Sequence, residues 1–191
     1  RARPAIAWCV LGILIASYGA RTIVRVRDWA TADPLYIRMP IDAPRSTRSH
    51  EKAAEGYMNL WLKAPKDDPS RPSLIEKAKE HLATALAIDP RNGTAIASKG
   101  EILQREGKHA EAAEAFAVAA EILGKEKAFQ PVIALLRGQS LLKLGKAEEA
   151  FRDFDYYLRQ LAKLGSPPDP RGHNFRALAL ALQGKMAEAL P

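Results

Sequence analysis

The sequence predicts an all-α protein: one N-terminal transmembrane helix, followed by a solenoid of helical hairpins with three repeat units and a partial fourth. Two observations predict it. Turn glycines recur at nearly constant spacing, with 38 residues from Gly107 to Gly145 and 39 from Gly145 to Gly184. Each lies between two amphipathic segments, and periods of about 20–50 residues are typical of stacked repeats. The second observation is a stretch without charge from Pro4 to Ala20, which indicates a membrane span.

The N-terminal segment is expected to form a transmembrane helix over residues 4–24. Its uncharged run is seventeen residues long, at the short end of the roughly 17–25 that a helix needs to cross a bilayer. A signal peptide is the alternative, but Tyr18 stands at the −3 position before Ala20, where cleavage sites carry a small residue. Aromatic and arginine side chains mark the headgroup region, and the expected interface residues are Trp8, Tyr18, Arg21, Arg25, Arg27 and Trp29.

Residues 25–45 are expected to connect this helix to the repeats, close to the membrane surface. Asp33 before Pro34 predicts a helix N-cap, and Pro40 predicts the end of that short helix. The segment is either a solitary half-unit covering the end of the stack or a plain linker. Residues 1–50 hold eight arginines against three aspartates, a net of +5 within the total of +7. This charge favours attraction to anionic lipid headgroups.

The repeat domain is expected over residues 46–191, where apolar periodicity and turn signals predict seven helices. Ser73 with Glu76 three residues later predicts a capping box at the start of the second helix. The sequence begins without Met and stops inside a predicted helix, so we expect a piece of a longer or processed protein. The expected helices span about 46–63, 73–88, 92–106, 109–123, 128–144, 147–164 and 170–183.

Residues 93–124 carry the pattern of one complete repeat unit. Gly100 and Leu103 lie on a first helix, Gly107 at the turn, and Phe116 on a second helix. Small residues let the two helices approach, and the aromatic ring fills the space between them. This pattern resembles the tetratricopeptide repeat (TPR). The resemblance implies stacked units that hold a peptide or dock onto another subunit, which points to binding rather than catalysis.

A second resemblance covers roughly residues 5–60. The residues that carry it directly follow the uncharged run: Arg27-Asp28-Trp29, Leu35-Tyr36, Ala43-Pro44-Arg45-Ser46 and Arg48-Ser49-His50. They are similar to the junction between the last membrane helix and the TPR array of multi-pass, mannosyltransferase-type glycosyltransferase-like membrane proteins. In that family the junction faces away from the cytoplasm, which implies a periplasmic TPR domain in a bacterium. The family's catalytic groups lie in upstream membrane helices, so the resemblance implies none in this sequence.

The TPR resemblance also implies a concave surface lined by the first helix of each unit. Its expected lining is Thr94, Ala97, Glu101, Gln104 and Arg105 in unit two, Val132, Leu135, Gln139, Leu142 and Lys143 in unit three, and Arg171, Asn174, Leu178, Ala181 and Leu182 in unit four. The lysine and asparagine set of the carboxylate-clamp TPRs is absent. The surface becomes more apolar toward unit four, either as a peptide groove or to pack on a further helix. Candidate partner-binding residues are Glu101, Arg105, Gln139 and Lys143.

A basic residue also recurs on the first helix of three successive units, directly before the small residue that lets the two helices approach. Lys99, Arg137 and Arg176 occupy this position. Long basic side chains can cover apolar neighbours while their charges reach water. The alternative is a row of cations for an acidic partner, which adds these three residues to the candidate binding set.

No catalytic, cofactor or metal site is predicted. His50, His81, His109 and His173 fall in different units without partners at metal-ligand spacing, so we expect surface or loop histidines and no metal. Nucleotide-binding and nucleophile motifs are absent. Residues 51–191 carry 21 basic and 19 acidic residues, a mixture that does not favour a nucleic-acid surface.

These observations predict a non-catalytic, membrane-anchored accessory subunit that binds other protein subunits. The expected assembly is a larger membrane complex of the respiratory or photosynthetic type, and the expected partners are those subunits and the lipid bilayer. The alternative function is the C-terminal TPR tail of a multi-pass glycosyltransferase-like enzyme. No cofactor is expected in either case.

Overall fold

The computed structural model describes residues 3–28, 32–125 and 130–185. In these ranges the chain forms nine α-helices and no β-strand. The helices pair into hairpins, each with a first and a second helix, as the repeat pattern predicts. Their bounds are α1 Arg3–Asp28, α2 Ala32–Asp42, α3 Thr47–Lys63, α4 Arg71–Ile88, α5 Gly93–Arg105, α6 His109–Lys125, α7 Pro131–Lys143, α8 Ala147–Lys163 and α9 Pro170–Leu182.

Close contact between a glycine and a phenylalanine sets the geometry of the two central hairpins. Phe116 of α6 lies against Gly100 of α5, and Phe154 of α8 lies against Gly138 of α7. A Cβ atom built on Gly100 would lie 2.9 Å from the Phe116 ring, and one on Gly138 would lie 2.6 Å from the Phe154 ring. Neither distance leaves room for a side chain. Both rings are fully buried, so the missing side chain and the buried aromatic ring together define each hairpin.

Side-chain caps and turn glycines fix where the helices begin and end. Ser46 and Asn92 accept hydrogen bonds from the backbone of Ser49 and Ala95 at the starts of α3 and α5. Gly107 adopts a φ of 80° in the turn between α5 and α6, a left-handed conformation that costs glycine little. Gly145 and Gly184 repeat this conformation at the equivalent positions, directly after α7 and α9.

The hairpins stack so that their first helices lie side by side. Helices α3, α5, α7 and α9 contact one another in sequence, and each second helix packs on the first helix of the next unit. The first helices therefore form the inner face of the stack, and the second helices form its outer face. Buried apolar clusters run through the hairpins and continue from one hairpin to the next. At the junction of units two and three, for example, Ile133 of α7 belongs to the same cluster as Phe116 of α6.

Helix α2 packs along α3, as the half-unit interpretation of the connector expects. Its close approach is at Gly56, where an added Cβ would lie 3.1 Å from the Asp33 carbonyl oxygen. Asp33 is 6% exposed and accepts hydrogen bonds from Asn59 and Lys63. The predicted N-cap role of Asp33 is therefore wrong, since the helix begins at Ala32 and the carboxylate bonds to α3.

Two predicted helix boundaries are wrong, each at a proline. Helix α2 continues through Pro40 to Asp42. Helix α4 begins at Arg71 with Pro72 in its first turn, where a missing N–H has no cost. Ser73 is therefore inside the helix and donates to the Ser70 carbonyl instead of forming the expected capping box. Helix α7 begins at Pro131, and its predicted start near residue 128 lies outside the described residues.

The predicted transmembrane helix over residues 4–24 is not supported. The segment is helical within α1, but no helix in the described part of the chain combines the length and the apolarity that crossing a bilayer requires. Trp8 and Tyr18 are 73% and 68% exposed, and Arg21 is exposed. The side chains of Arg25 and Arg27, and all of Trp29, lie outside the described residues.

Truncation of either buried ring should destabilise the stack strongly. Phe116→Ala and Phe154→Ala each remove a fully buried ring whose place no other side chain can take, so each should lower the free energy of unfolding by about 3–5 kcal/mol. Urea denaturation followed by circular dichroism measures the change. Val118→Ala, at a position 43% exposed on the neighbouring face of α6, is the control and should change stability by about 0.5 kcal/mol or less. An unchanged midpoint for both phenylalanine variants would refute this packing.

Candidate functional site: the inner-face groove

The inner face carries a groove of about 410 Å³ that crosses three repeat units. Helices α5, α7 and α9 supply its walls, and the first residue of α6 closes one side. Its lining contains six of the side chains that the sequence places on the concave surface. The lining residues are Gln104, His109, Gln139, Leu142, Lys143, Phe175, Leu178 and Leu182.

The apolar wall of the groove comes mainly from α9. Leu178 and Leu182 are 47% and 59% exposed, although large apolar side chains are usually buried when a neighbour can cover them. Phe175 is held in place by stacking on Phe154, with ring centroids 5.5 Å apart and planes inclined by 19°. The groove therefore offers exposed leucines next to a ring that is already fixed.

The polar wall is fixed by a hydrogen-bonded glutamine. The Gln104 side-chain N–H₂ group donates to the Leu136 carbonyl oxygen at 2.9 Å and to the Ser140 hydroxyl at 3.0 Å. Ser140 is fully buried. Because Gln104 lies on α5 and both acceptors on α7, these bonds tie unit two to unit three. They also use both amide hydrogens, which leaves the Gln104 side-chain oxygen as an acceptor.

Two further groups of the groove have an unused hydrogen-bonding capacity. The His109 Nδ1 atom is buried and has no partner in the described part of the chain. A buried polar atom without a hydrogen bond costs roughly 1–3 kcal/mol, so His109 favours any ligand group that can bond to it. Lys143 is exposed and forms no ion pair within the described ranges. The groove thus combines apolar walls with an unpaired cation and an unpartnered imidazole nitrogen.

The structure places Glu101 and Arg105 on the inner face but outside this groove, toward unit one. Arg105 lies over the Trp61 ring at 5.7 Å, and Arg71 lies over the same ring at 4.3 Å. Burial raises the pKa of Glu101, while the Arg105 charge opposes that rise. Of the other predicted lining residues, Ala97 and Leu135 are buried in the core, at 9% and 2% exposure.

The row of recurring cations lies away from the groove. Lys99 and Arg137 line two other cavities, to which second helices also contribute. Arg137 donates from Nε to the Asp153 carboxylate at 2.7 Å and also pairs through Nη2. Asp153 is 4% exposed, and its hydrogen bond raises the pKa of Arg137. Arg176 lies 5.8 Å from the Phe151 ring centroid. The row therefore does not present three equivalent free cations.

Lys99 differs from Arg137 because its unit lacks the matching acid. The residue 16 positions after Arg137 is Asp153, and the residue 16 positions after Lys99 is Ala115. Both Lys99 and Ala115 line one outer cavity of about 400 Å³, together with Glu111 and Glu114. Lys99 forms no ion pair within 4.0 Å in the described part of the chain, so its charge remains solvated.

A cluster around Asp169 positions α9 and therefore the apolar wall. Asp169 accepts from the Arg171 backbone at 2.9 Å as the N-cap of α9, and from the Arg171 guanidinium at 3.1 Å. The Tyr157 hydroxyl of α8 donates to the same carboxylate at 2.5 Å. The bonds from Arg171 and Tyr157 lower the pKa of Asp169 to about 2. Gly172 lets α9 approach, since an added Cβ would lie 2.9 Å from the Tyr157 ring.

The histidine prediction is wrong for His50 and His81, which meet between α3 and α4. His50 is 8% exposed, and its Nδ1 lies 3.0 Å from the Nδ1 of His81. Its Nε2 lies 3.0 Å from the Pro44 carbonyl oxygen. The Tyr57 ring stacks on His81 with centroids 5.6 Å apart. The two histidines are 31 residues apart, and no local sequence signal predicts their contact. Within the described ranges no group of three or more His, Cys, Asp or Glu is placed to hold a metal.

The profile of the tetratricopeptide repeat matches residues 74–131 and 134–191, which together are more than half of the chain. The chain belongs to the tetratricopeptide repeat family. TPR proteins bind other proteins, so the fold is that of a protein-interaction scaffold. None of the curated proteins matches the chain.

Several solved structures share the fold of this chain. The crystal structure of MamA has a TM-score of 0.60 at 16% identity, over 81% of this chain and 78% of that one. TTC0263, a thermophilic TPR protein of Thermus thermophilus, has a TM-score of 0.60 at 20% identity, over 89% and 77%. PilF of Pseudomonas aeruginosa has a TM-score of 0.58 at 18% identity, over 95% and 74%. Identities this low establish the fold alone.

The glycosyltransferase-like resemblance of residues 5–60 receives no support from these comparisons. The family match begins at residue 74, beyond the junction that carried the resemblance. None of the three similar structures is described as a glycosyltransferase. The predicted membrane anchor, the type of membrane complex and the periplasmic location depended on that resemblance or on a membrane span. None of these three predictions is supported.

Removal of the buried Asp153 carboxylate should show that Arg137 contributes to stability through an ion pair, whereas Lys99 does not. Asp153→Asn removes the negative charge opposite Arg137. Because Arg137 is 35% exposed and water can still solvate it, the free energy of unfolding should fall by only about 2–3 kcal/mol. Lys99→Ala, at the equivalent position without a partner, should change it by about 0.5 kcal/mol or less. Thermal denaturation of both variants measures the contrast. Equal effects would show that the Arg137–Asp153 pair contributes nothing specific.

The Asp169 cluster should make the stability of unit four depend on acid pH. The pKa of Asp169 is about 2 in the folded chain, against 3.8 ordinarily. Its contribution is therefore complete above about pH 4 and is lost as the pH falls through about 2. The difference in melting temperature between the native chain and Asp169→Asn should shrink between pH 5 and pH 2. A difference that stays constant over this range would contradict the assignment.

Proposed function

We propose that this TPR protein is a non-catalytic scaffold that holds a segment of a partner protein in its inner-face groove. The single observation that carries the proposal is the composition of that groove. Leu178 and Leu182 are half exposed inside a concave surface, next to polar groups with free hydrogen-bonding capacity. Concave sites with mostly apolar walls and a few polar groups are the usual form of binding sites.

Burial of the exposed leucines supplies the driving force for binding. Complete burial of a leucine side chain is worth about 1.5–3 kcal/mol, and Leu178 and Leu182 each have about half of their surface left to bury. Leu142 and Phe175 extend the same wall. A partner segment that covers this wall gains affinity from apolar contact, while its backbone can bond to the amides of Gln104 and Gln139.

The groove is also rigid before a partner arrives. Gln104 is fixed by its two bonds to α7, and Phe175 by its stacking on Phe154. A site whose side chains are already ordered loses less conformational entropy when it binds. This preorganisation favours a role in holding a partner rather than a role in folding around it.

The proposal assigns no reaction to the chain and makes it an accessory subunit of a larger protein assembly. The groove supplies amides, a lysine, a histidine and apolar side chains, and contains no Ser, Cys, Asp or Glu among its lining residues. The hydroxyl, thiol and carboxylate nucleophiles of covalent catalysis are therefore not among the described lining side chains. The partner is another protein of the assembly.

Selection from a random peptide library tests this function. The full 191-residue chain is immobilised, and nine-residue peptides displayed on phage are selected for binding. The native chain should enrich a related set of sequences that Leu178→Asp does not retain, because the new carboxylate interrupts the apolar wall. Fluorescence anisotropy with an enriched peptide should show at least a tenfold weaker affinity for this variant, equivalent to about 1.4 kcal/mol.

The matched control is Val118→Asp on the outer face. Val118 is 43% exposed, close to the 47% of Leu178, and the substitution adds the same charge. This variant should bind the enriched peptide like the native chain. No enrichment from the library, or equal loss of binding in both variants, would refute the inner-face groove as the binding site.

A further inference from the structure

We infer that the partner segment carries an acidic side chain beside a large apolar one, with its carboxylate at Lys143 and His109. This inference rests on the proposed function, since it names the chemistry of the partner for the same groove. It follows from three properties of the lining residues: the isolated positive charge, the unpartnered imidazole nitrogen and the exposed leucines.

The charge of the groove is unbalanced in one direction. Lys143 is the only lysine, arginine or carboxylate among the eight lining residues, and it forms no ion pair in the described ranges. Some cations elsewhere on the stack pair with acids, as Arg137 does with Asp153 and Arg171 with Asp169, whereas Lys99, like Lys143, has no acid partner in the described ranges. An incoming carboxylate is therefore attracted to Lys143 without repulsion from any other lining residue.

His109 provides a second bond for the same group. Its Nδ1 is buried and lacks a partner in the described part of the chain, and a neutral imidazole can carry its proton on either nitrogen. Because Nδ1 is buried, the ring must turn toward the groove, and with the proton on Nδ1 it then donates to a carboxylate oxygen. Hydrogen bonds to an ionised acceptor are about twice as strong as those between neutral groups, so an acid satisfies this atom better than a neutral amide does.

The apolar wall fixes what must accompany the acid. Leu142, Leu178, Leu182 and Phe175 line the side formed by α7 and α9. A purely acidic segment would leave these side chains exposed, and a purely apolar one would leave Lys143 and His109 unbonded. The groove measures about 410 Å³, within the range of roughly 300–1,000 Å³ for compact binding sites. It thus fits a short acidic and apolar motif.

Reversal of the charge at Lys143 tests the inference with the same nine-residue library. Peptides selected on the native chain should contain Asp or Glu within three positions of Leu, Ile, Phe, Trp or Met. Selection on Lys143→Glu should replace this preference by Lys or Arg, with the apolar residue retained. Lys143 lies at an exposed rim, so the variant should fold, and circular dichroism checks this.

Affinity measurements complete the test. A selected acidic peptide should bind Lys143→Met about tenfold more weakly than the native chain, and a version with Gln in place of the acid should lose the same factor on the native chain but little on the variant. Lys163→Met removes an equal charge outside the groove and should leave the affinity unchanged. His109→Phe should weaken the acidic peptide and leave the Gln version nearly unaffected.

The two proposals fail in different ways. This inference would be overturned if the enriched peptides depend on Leu178 but contain no acidic residue. It would also be overturned if Lys143→Glu selects peptides of the same charge as the native chain does. Either result would leave the proposed function in place. A library that yields no enriched peptide would overturn both.

Discussion

The structure depends on the absence of a side chain at two glycines. Gly100 and Gly138 let Phe116 and Phe154 enter the space between paired helices, and each ring then joins its hairpin to a buried cluster. Because the same contact recurs at equivalent positions, both hairpins have the same internal geometry, and the first helices of successive units face the same way. The inner groove exists because α5, α7 and α9 keep this common orientation.

The glycine contact also explains why binding groups are confined to a few positions. One side of each first helix is taken by the hairpin and another by the preceding unit, so only the inner side is available to a partner. Gln104, Lys143 and Leu182 come from three different units and meet there because the units are in register. Local packing in each hairpin thus positions side chains that are far apart in sequence.

Much of the fold could be predicted from the sequence, because its determinants are local. Helix ends depend on nearby caps and turn glycines, and the inner-face positions of Gln139 and Lys143 follow from the repeat period. The wrong predictions concern properties that are not local. The role of Asp33 depended on Lys63 and Asn59 of another helix, and the three recurring cations differ because Asp153 pairs with Arg137. The predicted membrane span over residues 4–24 is not supported. The unpartnered nitrogen of His109 requires atomic positions, which no spacing rule supplies.

The contact between His50 and His81 gives the first unit a chemical character that the others lack. The Pro44 carbonyl can only accept, so His50 carries a proton on Nε2 and offers the Nδ1 lone pair, to which His81 must donate. Burial and the neighbouring His50 lower the pKa of His81, against a smaller opposing effect of Glu80. Because its pKa is lowered, neutral His81 contributes its full stabilisation above pH 6.5 and loses it as the pH falls below that value. In the described part of the chain, no other hairpin has two histidines in contact between its helices, and the hairpin held by Gly138 and Phe154 has the Arg137–Asp153 ion pair there instead. Mild acid therefore acts unevenly along the stack and acts first on its first unit.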